Sequence, residues 1–219
     1  MSTKPILGYW NQRGLGHPIR FLLTYLGVDF TDKRYSRGAD GKGSEWFQGD
    51  KNKLGLDFPN LPYYIDGDVK ISQSLTILRY IAAKYSLDGA SIVEKNRIIL
   101  LEQQVVDLMT GFYQLALRPN YDDLSYDFLE ILETVQLKQL VAFLGDRPWT
   151  AGAHISYVDF WLYEYLVKIR AFAPEVWRKF PTLEAFVKRI EELPKIKEFI
   201  AKEGPLIFSG PKYAWNGKY

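Results

Sequence analysis

The hydrophobic pattern of this chain changes near residue 90, and this change restricts the possible folds more than any other feature. Before it, short apolar runs alternate with one helical segment and with turns rich in glycine. After it, the apolar residues recur only at helical spacing. The chain is therefore expected to form an α/β unit over 1–84, a linker over 85–92 that contains Asp88-Gly89, and an all-helical unit over 93–219.

The first unit reads as a βαβ unit followed by a β-hairpin and a helix. Gly27 is placed to end the first helix, and Asp66-Gly67 is a strong signal for the hairpin turn. The predicted elements are a strand at Pro5–Trp10, a helix at His17–Leu26, a strand at Val28–Tyr35, hairpin strands at Leu61–Ile65 and Val69–Ile71, and a helix to Ala83 that Ser72 or its neighbour caps. The intervening residues 36–57 contain five glycines, which predicts a long binding loop.

Helical periodicity covers the second unit. Apolar residues from Ile98 to Leu115 step by three and four and predict one helix of about six turns. A second, less regular helix is predicted over 128–144, and Ser156 with Asp159 forms a capping box for a buried helix at Tyr157–Phe172. A single helix from Thr182 to about Glu203 and a tail lying over the surface complete the prediction.

The composition excludes several kinds of chemistry. The chain has no cysteine and only two histidines, His17 and His154, so it carries no thiol of its own and is not expected to bind a metal. A formal net charge of +2 gives no concentrated basic field for nucleic acid. No apolar run is long enough to cross a membrane, and the start MSTKPILGYW lacks the features of a secretory signal. We expect a cytoplasmic protein with neither a nucleic-acid nor a membrane partner.

Five motifs carry a resemblance to a known family. They are ILGYW at 6–10, LGLDFPNLPYYIDGD at 54–68, Gln73-Ser74, FLGDRPWTAG at 143–152 and the segment 156–159. The chain resembles the cytosolic glutathione transferases, and within them the mu class, as found in arthropods and flatworms and among mite allergens. The resemblance implies a thioredoxin-like βαβ-ββα domain, an all-helical domain and a homodimer. It also implies an enzyme that needs no cofactor and conjugates its cosubstrate glutathione to hydrophobic electrophiles.

Tyr9 is the candidate catalytic residue. The thiol of glutathione has a pKa near that of ordinary cysteine, about 8.5, so little of it is thiolate at pH 7. A hydrogen bond to a charged acceptor is worth about 1.5–3 kcal/mol and one pKa unit corresponds to about 1.4 kcal/mol, so one phenol could lower the thiol pKa by about one to two units. By resemblance, Tyr9 donates that bond; the alternative is a tyrosine packed in the core.

The resemblance implies further contacts with glutathione. The bond Leu61–Pro62 is expected to be cis and to turn the Leu61 backbone toward the cysteinyl group, and Gln73 and Ser74 open a helix whose N–H groups suit the γ-glutamyl carboxylate. Asp107 is expected to reach the glutathione of the other subunit, and Phe58 to act as the key between subunits. Each has a plain alternative: a solvated helix face for Asp107, and a loop that folds Phe58 inward. The remaining expected contacts are Trp10, Leu15, Trp46, Lys51 and Asn60.

The electrophile pocket is less well specified. Leu117 stands where many mu enzymes have a tyrosine that assists electrophiles; Tyr113 lies one turn earlier and Tyr121 four residues later. The expected lining is apolar and consists of Trp10, Leu15, Tyr113, Leu117 and Phe208. The resemblance implies a contact between the glycyl carboxylate and an arginine immediately before Ser44, but no arginine stands there. Whether Lys42 replaces this contact is left open by the sequence. A glutathione-dependent isomerase or peroxidase, or a carrier without catalysis, remains an alternative function. Both histidines and Asp159 are expected to be structural.

Overall fold

The computed structural model describes residues 4–209, 213–215 and 217, apart from the side chains of residues 121–124. The first unit is a four-stranded sheet with two helices. Its elements are β1 (Ile6–Trp10), α1 (His17–Leu26), β2 (Thr31–Tyr35), β3 (Tyr63–Asp66), β4 (Val69–Ser72) and α2 (Ser74–Lys84). The sheet order is β2-β1-β3-β4, with β1 parallel to β2 and antiparallel to β3. The carboxyl end of the central strand β1 therefore opens onto the loops that follow it.

The second unit is helical throughout. Its helices are α3 (Ile92–Ala116), α4 (Tyr121–Ile131), α5 (Leu137–Leu144), α6 (Tyr157–Phe172), α7 (Pro174–Trp177), α8 (Pro181–Glu191) and α9 (Pro194–Glu203). A wider, π-type turn at Leu132–Gln136 joins α4 to α5. Helix α6 is buried along most of its length and packs against α1, α3 and α8, so one apolar core runs through both units. The predicted fold class is confirmed.

Local capping fixes the ends of the best-predicted helices. Gly27 ends α1 in a left-handed conformation with φ 71°, which glycine adopts at little cost. Ser156 and Asp159 form the predicted capping box at α6, and the Asp159 carboxylate also accepts a hydrogen bond from the Thr150 amide N–H at 2.9 Å. These two helices have the bounds that the sequence predicts.

Three sequence predictions are wrong in detail. The predicted single helix from Thr182 to Glu203 is two helices, because Pro194 has no N–H to continue α8 and suits the first turn of α9 instead. The predicted long loop contains a helical segment at Glu45–Asp50. The tail does not lie wholly over the surface: Phe208 is buried, and Arg13 and Gly14 donate backbone hydrogen bonds to Ile207 and Phe208.

Within the ranges given above, no helix is long and apolar enough to cross a membrane. Over the same ranges, no three His, Cys, Asp or Glu side chains come together as they would around a metal ion.

Candidate functional site

Tyr9 lies at the end of β1 with its hydroxyl enclosed by the loop that follows. The Leu15 amide N–H donates a hydrogen bond of 3.0 Å to the Tyr9 oxygen, and only 5% of the residue is exposed. Burial raises the pKa of Tyr9 to about 12, although the Leu15 N–H opposes the rise. The phenol therefore keeps its proton at neutral pH. Since the oxygen accepts a bond from Leu15, the O–H proton is available to donate elsewhere.

Two glycines make room for the Tyr9 ring. A Cβ at Gly14 would lie 2.5 Å from the Tyr9 hydroxyl, and a Cβ at Gly16 would lie 2.4 Å from Cδ1 of the ring. Gly14 also has a φ of 42°, in the left-handed region that favours glycine. No side chain can stand at either position without moving Tyr9.

Arg20 holds the turn after β1 in place. Its buried guanidinium donates to the Gln12 carbonyl at 2.9 Å and to the Trp10 carbonyl at 3.3 Å, and it pairs with Asp32 at 3.0 Å. A buried guanidinium with these partners fixes the backbone on both sides of the turn. Arg20 is not among the residues predicted from the sequence; a basic residue within the apolar stretch of α1 was the available signal.

The backbone around Pro62 has the expected form. The Leu61–Pro62 peptide bond is cis, and both residues are buried. The Leu61 N–H donates to the side-chain oxygen of the exposed Asn60 at 2.9 Å. A ligand that accepts a hydrogen bond from the Leu61 N–H must displace the Asn60 side chain. Asn60 therefore lies next to this predicted contact, where it competes with a ligand for the Leu61 N–H.

The start of α2 has no side-chain cap among the described residues, which leaves its first backbone N–H groups as donors. Of the two predicted capping positions, Ser72 or its neighbour, the neighbour Gln73 is the N-cap residue, with φ 72°, and the Ser72 hydroxyl donates to the Phe58 carbonyl at 2.6 Å. A non-glycine residue in the left-handed region lowers conformational stability by about 1–2 kcal/mol. Gln73 therefore destabilises the fold relative to a glycine at this position. With Ser74 half-buried beside it, this helix end suits a carboxylate.

The long loop contributes aromatic and basic groups. Trp46 is buried and stacks on Tyr63, while the Lys51 ammonium lies 5.5 Å from the centre of the Phe47 ring. Trp10 is also largely buried, and the Arg37 guanidinium lies 4.3 Å from the centre of its ring. The Nε of Arg37 is buried and has no hydrogen-bond partner among the described residues.

Arg37 is a functional candidate that was not predicted from the sequence. Lys42, the substitute considered there, is highly exposed and lies 3.9 Å from Asp40, whereas Arg37 stacks on a predicted site residue. The signal in the sequence was an arginine two residues after β2, at the start of the glycine-rich loop.

Phe58 and Asp107 both face outward. Phe58 is 76% exposed, so the loop does not fold it inward, and Asp107 is exposed on α3. Both residues are therefore available to a second chain.

The residues expected to line the electrophile pocket lie on or near α3, α6 and the tail. Tyr113 is half-buried, and Leu117 is 42% exposed where α3 ends. Phe208 is fully buried, stacked on Trp215 and under the Arg13 guanidinium, so it supports the expected pocket from behind rather than lining it. Leu15 is half-buried at the edge, and the Tyr121 side chain lies outside the described residues.

Three buried charges lie behind these residues. Arg13 donates to both oxygens of Glu164, at 3.2 and 2.8 Å, and the Lys168 ammonium donates to the Tyr113 hydroxyl at 2.7 Å. The sequence predicts an apolar pocket with few polar groups and does not identify these three residues. Glu164 and Lys168 stand out on α6 because most of the buried residues around them are apolar or aromatic.

His17 and His154 lie outside the site chemistry. His17 is buried with its ring edge against Phe21, and burial holds the pKa of His17 well below its usual range. His154 is exposed in the turn before α6.

Two family models match the chain: the N-terminal domain of glutathione S-transferase at residues 5–83 and its C-terminal domain at residues 118–203. A glutathione S-transferase of Tyrophagus putrescentiae is 54% identical over 219 residues and all of both chains. Glutathione S-transferase Mu 1 of Mus musculus is 45% identical over 197 residues, 89% of each chain. The crystal structure of the glutathione S-transferase Blo t 8 superposes with a TM-score of 0.85 at 33% identity, covering 96% of this chain and 99% of that one.

Proposed function

The chain belongs to the glutathione S-transferase family, and we propose that Tyr9 activates glutathione in it by donating a hydrogen bond to the thiolate sulfur. The mu-class resemblance of the sequence is confirmed by relatives of that class in Mus musculus and Fasciola hepatica. The reaction is the transfer of the glutathione sulfur to an electrophile. Among the candidate residues, Tyr9 is the one for which the geometry most strongly supports a catalytic role.

The hydrogen bonding and the protonation of the Tyr9 hydroxyl are the main support for this proposal. Its oxygen accepts from the Leu15 N–H at 3.0 Å, so its own proton points toward a different partner. Its raised pKa keeps that proton on the phenol at neutral pH. A neutral phenol in a water-poor site stabilises an anion placed before it, and a thiolate is the anion that glutathione offers.

The remaining contacts divide glutathione into three parts. The γ-glutamyl carboxylate is placed at the start of α2, near Gln73 and Ser74, and the cysteinyl backbone at Leu61, before Pro62. The glycyl carboxylate is placed near Trp46 and Lys51 and beside Arg37, whose Nε has no partner within the described ranges, which makes it the strongest basic candidate in the loop. Trp10 and Leu15 then line the pocket from which the electrophile approaches the sulfur.

We also propose that the enzyme is a homodimer whose sites are shared. Phe58 is exposed, and so are four apolar side chains on α3, which a second copy would cover: Ile92, Val93, Ile99 and Leu100. Asp107 lies on the same helix and is placed to reach the γ-glutamyl ammonium in the partner's site.

The catalytic proposal is tested by conjugation of glutathione to a chlorodinitrobenzene between pH 6 and 9, with wild type beside Tyr9→Phe. We expect turnover by the wild type and a loss of ten-fold or more in the variant at neutral pH. Tyr126→Phe, at a tyrosine that is 74% exposed, is the matched control. Glutathione binding without turnover by the wild type would favour a carrier.

The shared site is tested by mixing two inactive variants. A dimer of Tyr9→Phe with Asp107→Asn has one complete site if Asp107 acts across the interface, so random mixing should restore roughly a quarter of the wild-type sites. No activity above the sum of the separate variants would contradict the assignment. Sedimentation of the Phe58→Ser variant tests whether the Phe58 side chain holds the two subunits together. We expect this variant to favour the monomer.

A further inference from the structure

Tyr35 and Tyr63 form a pair of buried phenols that the thiolate chemistry does not use. Only 1% of each residue is exposed, and the two hydroxyl oxygens lie 2.9 Å apart. They belong to the strands on either side of β1: Tyr35 ends β2, and Tyr63 begins β3. The two side chains therefore meet across the central strand of the sheet.

Gly8 makes room for this meeting. It lies opposite Tyr63 in the pairing of β1 with β3, and a Cβ at Gly8 would lie 2.1 Å from Cε1 of the Tyr63 ring. The ring therefore lies across the backbone of β1, over a position that has no side chain. From there its hydroxyl reaches the hydroxyl of Tyr35.

Asp50 accepts the hydrogen bond of this pair. Its Oδ2 atom accepts from the Tyr35 hydroxyl at 2.7 Å and from the Lys33 ammonium at 2.5 Å. Because Tyr35 gives its only proton to Asp50, Tyr63 is the donor in the bond between the two phenols. Lys33 and Tyr35 hold the pKa of Asp50 below its usual value, so the carboxylate is charged at neutral pH. A chain of hydrogen bonds thus runs from Tyr63 through Tyr35 to this charge.

The helical segment Glu45–Asp50 carries one predicted glutathione contact and leads directly to another. Trp46 is its second residue, and Lys51 follows its last. The Trp46 ring stacks on Tyr63, with 5.9 Å between the ring centres, and lies edge-on to Tyr35 at 5.4 Å. The same two tyrosines therefore hold both ends of the segment, through ring contacts at its start and through the carboxylate at its end.

The other side chains near the start of the segment do not fix its position. Glu45, Phe47 and Gln48 are exposed, and the loop before the segment includes Gly38 and Gly41 in left-handed conformations. Glycine leaves the backbone of such a loop free to adopt other conformations. The position of Lys51 therefore depends on how the segment is attached to the sheet.

We propose that Tyr35, Tyr63 and Asp50 are positioning residues that set the preference of the enzyme for glutathione over γ-glutamylcysteine, the same peptide without its glycine. They act by holding Trp46 and Lys51 where the glycyl carboxylate is placed. This inference rests on the proposed function, because it requires that placement of the peptide.

The test compares glutathione with γ-glutamylcysteine, each conjugated to the same chlorodinitrobenzene. The two thiols share their γ-glutamyl and cysteinyl parts, so a change at Tyr9 or at the start of α2 affects both alike. The ratio of their kcat/KM values therefore reports on the glycyl part. We expect the wild type to favour glutathione.

Asp50→Ala and Tyr35→Phe should each lower this ratio about ten-fold, which is the effect of losing one hydrogen bond to a charged group. The loss should appear in KM for glutathione, with little change in kcat, because neither residue contacts the sulfur or the electrophile. Asp50→Glu keeps the carboxylate and should retain more of the ratio than Asp50→Ala.

Two matched variants serve as controls. Tyr80→Phe removes a hydroxyl that donates to Asp66 at 3.0 Å in the same unit, and Glu45→Ala removes an exposed carboxylate from the segment itself. Both should leave the ratio within about two-fold of the wild-type value, as expected of substitutions outside the network.

The outcomes separate this inference from the proposed function. If the wild type turns over both peptides and Asp50→Ala and Tyr35→Phe lower the two kcat/KM values equally, the positioning chain is wrong and the role of Tyr9 stands. A wild type that turns over both peptides without favouring glutathione also overturns the inference, and this result does not depend on whether a variant folds. If the wild type turns over neither peptide, the proposed function fails as well.

Discussion

The two tyrosines of the site are held in the same chemical state by different parts of the molecule. Burial raises the pKa of both Tyr9 and Tyr113, and each oxygen accepts a hydrogen bond from a donor within the protein. For Tyr9 the donor is a backbone N–H six residues away, and for Tyr113 it is an ammonium 55 residues away. A site built from neighbours in sequence can be inferred from a short motif, whereas a site built across helices requires the fold.

The largest expected effect is on stability. It comes from the ion pair between Arg13 and Glu164, which joins the region around Tyr9 to the region around Tyr113. Arg13 follows Tyr9 in the chain and Glu164 precedes Lys168, and both side chains are buried. Glu164→Gln removes the carboxylate and leaves two buried cations, so we expect the free energy of unfolding to fall by about 3–5 kcal/mol. Urea denaturation measures this change.

Glu175→Gln is the matched control for that experiment. Its pair with Arg178 is highly exposed on both sides, so its loss should change the free energy of unfolding by less than about 1 kcal/mol. If the two substitutions lower the free energy of unfolding equally, the buried pair does not stabilise the contact between the two regions.

The next effect should be confined to the Tyr9 region. Gly16→Ala places a Cβ 2.4 Å from the Tyr9 ring, which is too buried to swing aside. We expect kcat/KM for conjugation to fall about ten-fold or more, since an active-site shift of about 1 Å can cost 10²-fold. Gly111→Ala, in α3 with no atom near the added Cβ, should leave kcat/KM unchanged. A Gly16→Ala enzyme with full activity would show that the ring position is not critical.

The smallest effect should be on glutathione binding. Arg37→Ala removes the guanidinium over Trp10, and we expect KM for glutathione to rise about three- to ten-fold with little change in kcat, because an ion contact at a half-exposed residue is worth about 1 kcal/mol. Lys42→Ala, at a highly exposed side chain, is the control. Should Lys42→Ala raise KM and Arg37→Ala not, the carboxylate contact belongs to Lys42.

The sequence predicts the regions whose determinants are local. The bounds of α1 and α6 follow from Gly27 and from the Ser156–Asp159 box, which act within a few residues of the helix ends. The candidate Tyr9 likewise lies within a five-residue strand motif. The break at Pro194 could have been predicted, because proline within a helical pattern commonly starts a new helix.

The remaining features depend on contacts between distant segments. Phe208 is buried because the tail bonds to the backbone of the turn after β1, which periodicity does not reveal. Lys168 falls on the buried helix α6, but nothing in its neighbourhood in sequence identifies Tyr113 as its partner. The same holds for Arg37, whose position over Trp10 depends on the path of a glycine-rich loop.

Ultraviolet titration of the glutathione thiolate bound to wild type and to Tyr9→Phe tests the central claim most directly. If the Tyr9 hydroxyl stabilises the anion, the pKa of the bound thiol should be about one to two units higher in the variant, as expected for the loss of one hydrogen bond to a charged acceptor. Tyr113→Phe, measured alongside, should change this pKa by less than Tyr9→Phe does. An unchanged thiol pKa in Tyr9→Phe would contradict the account.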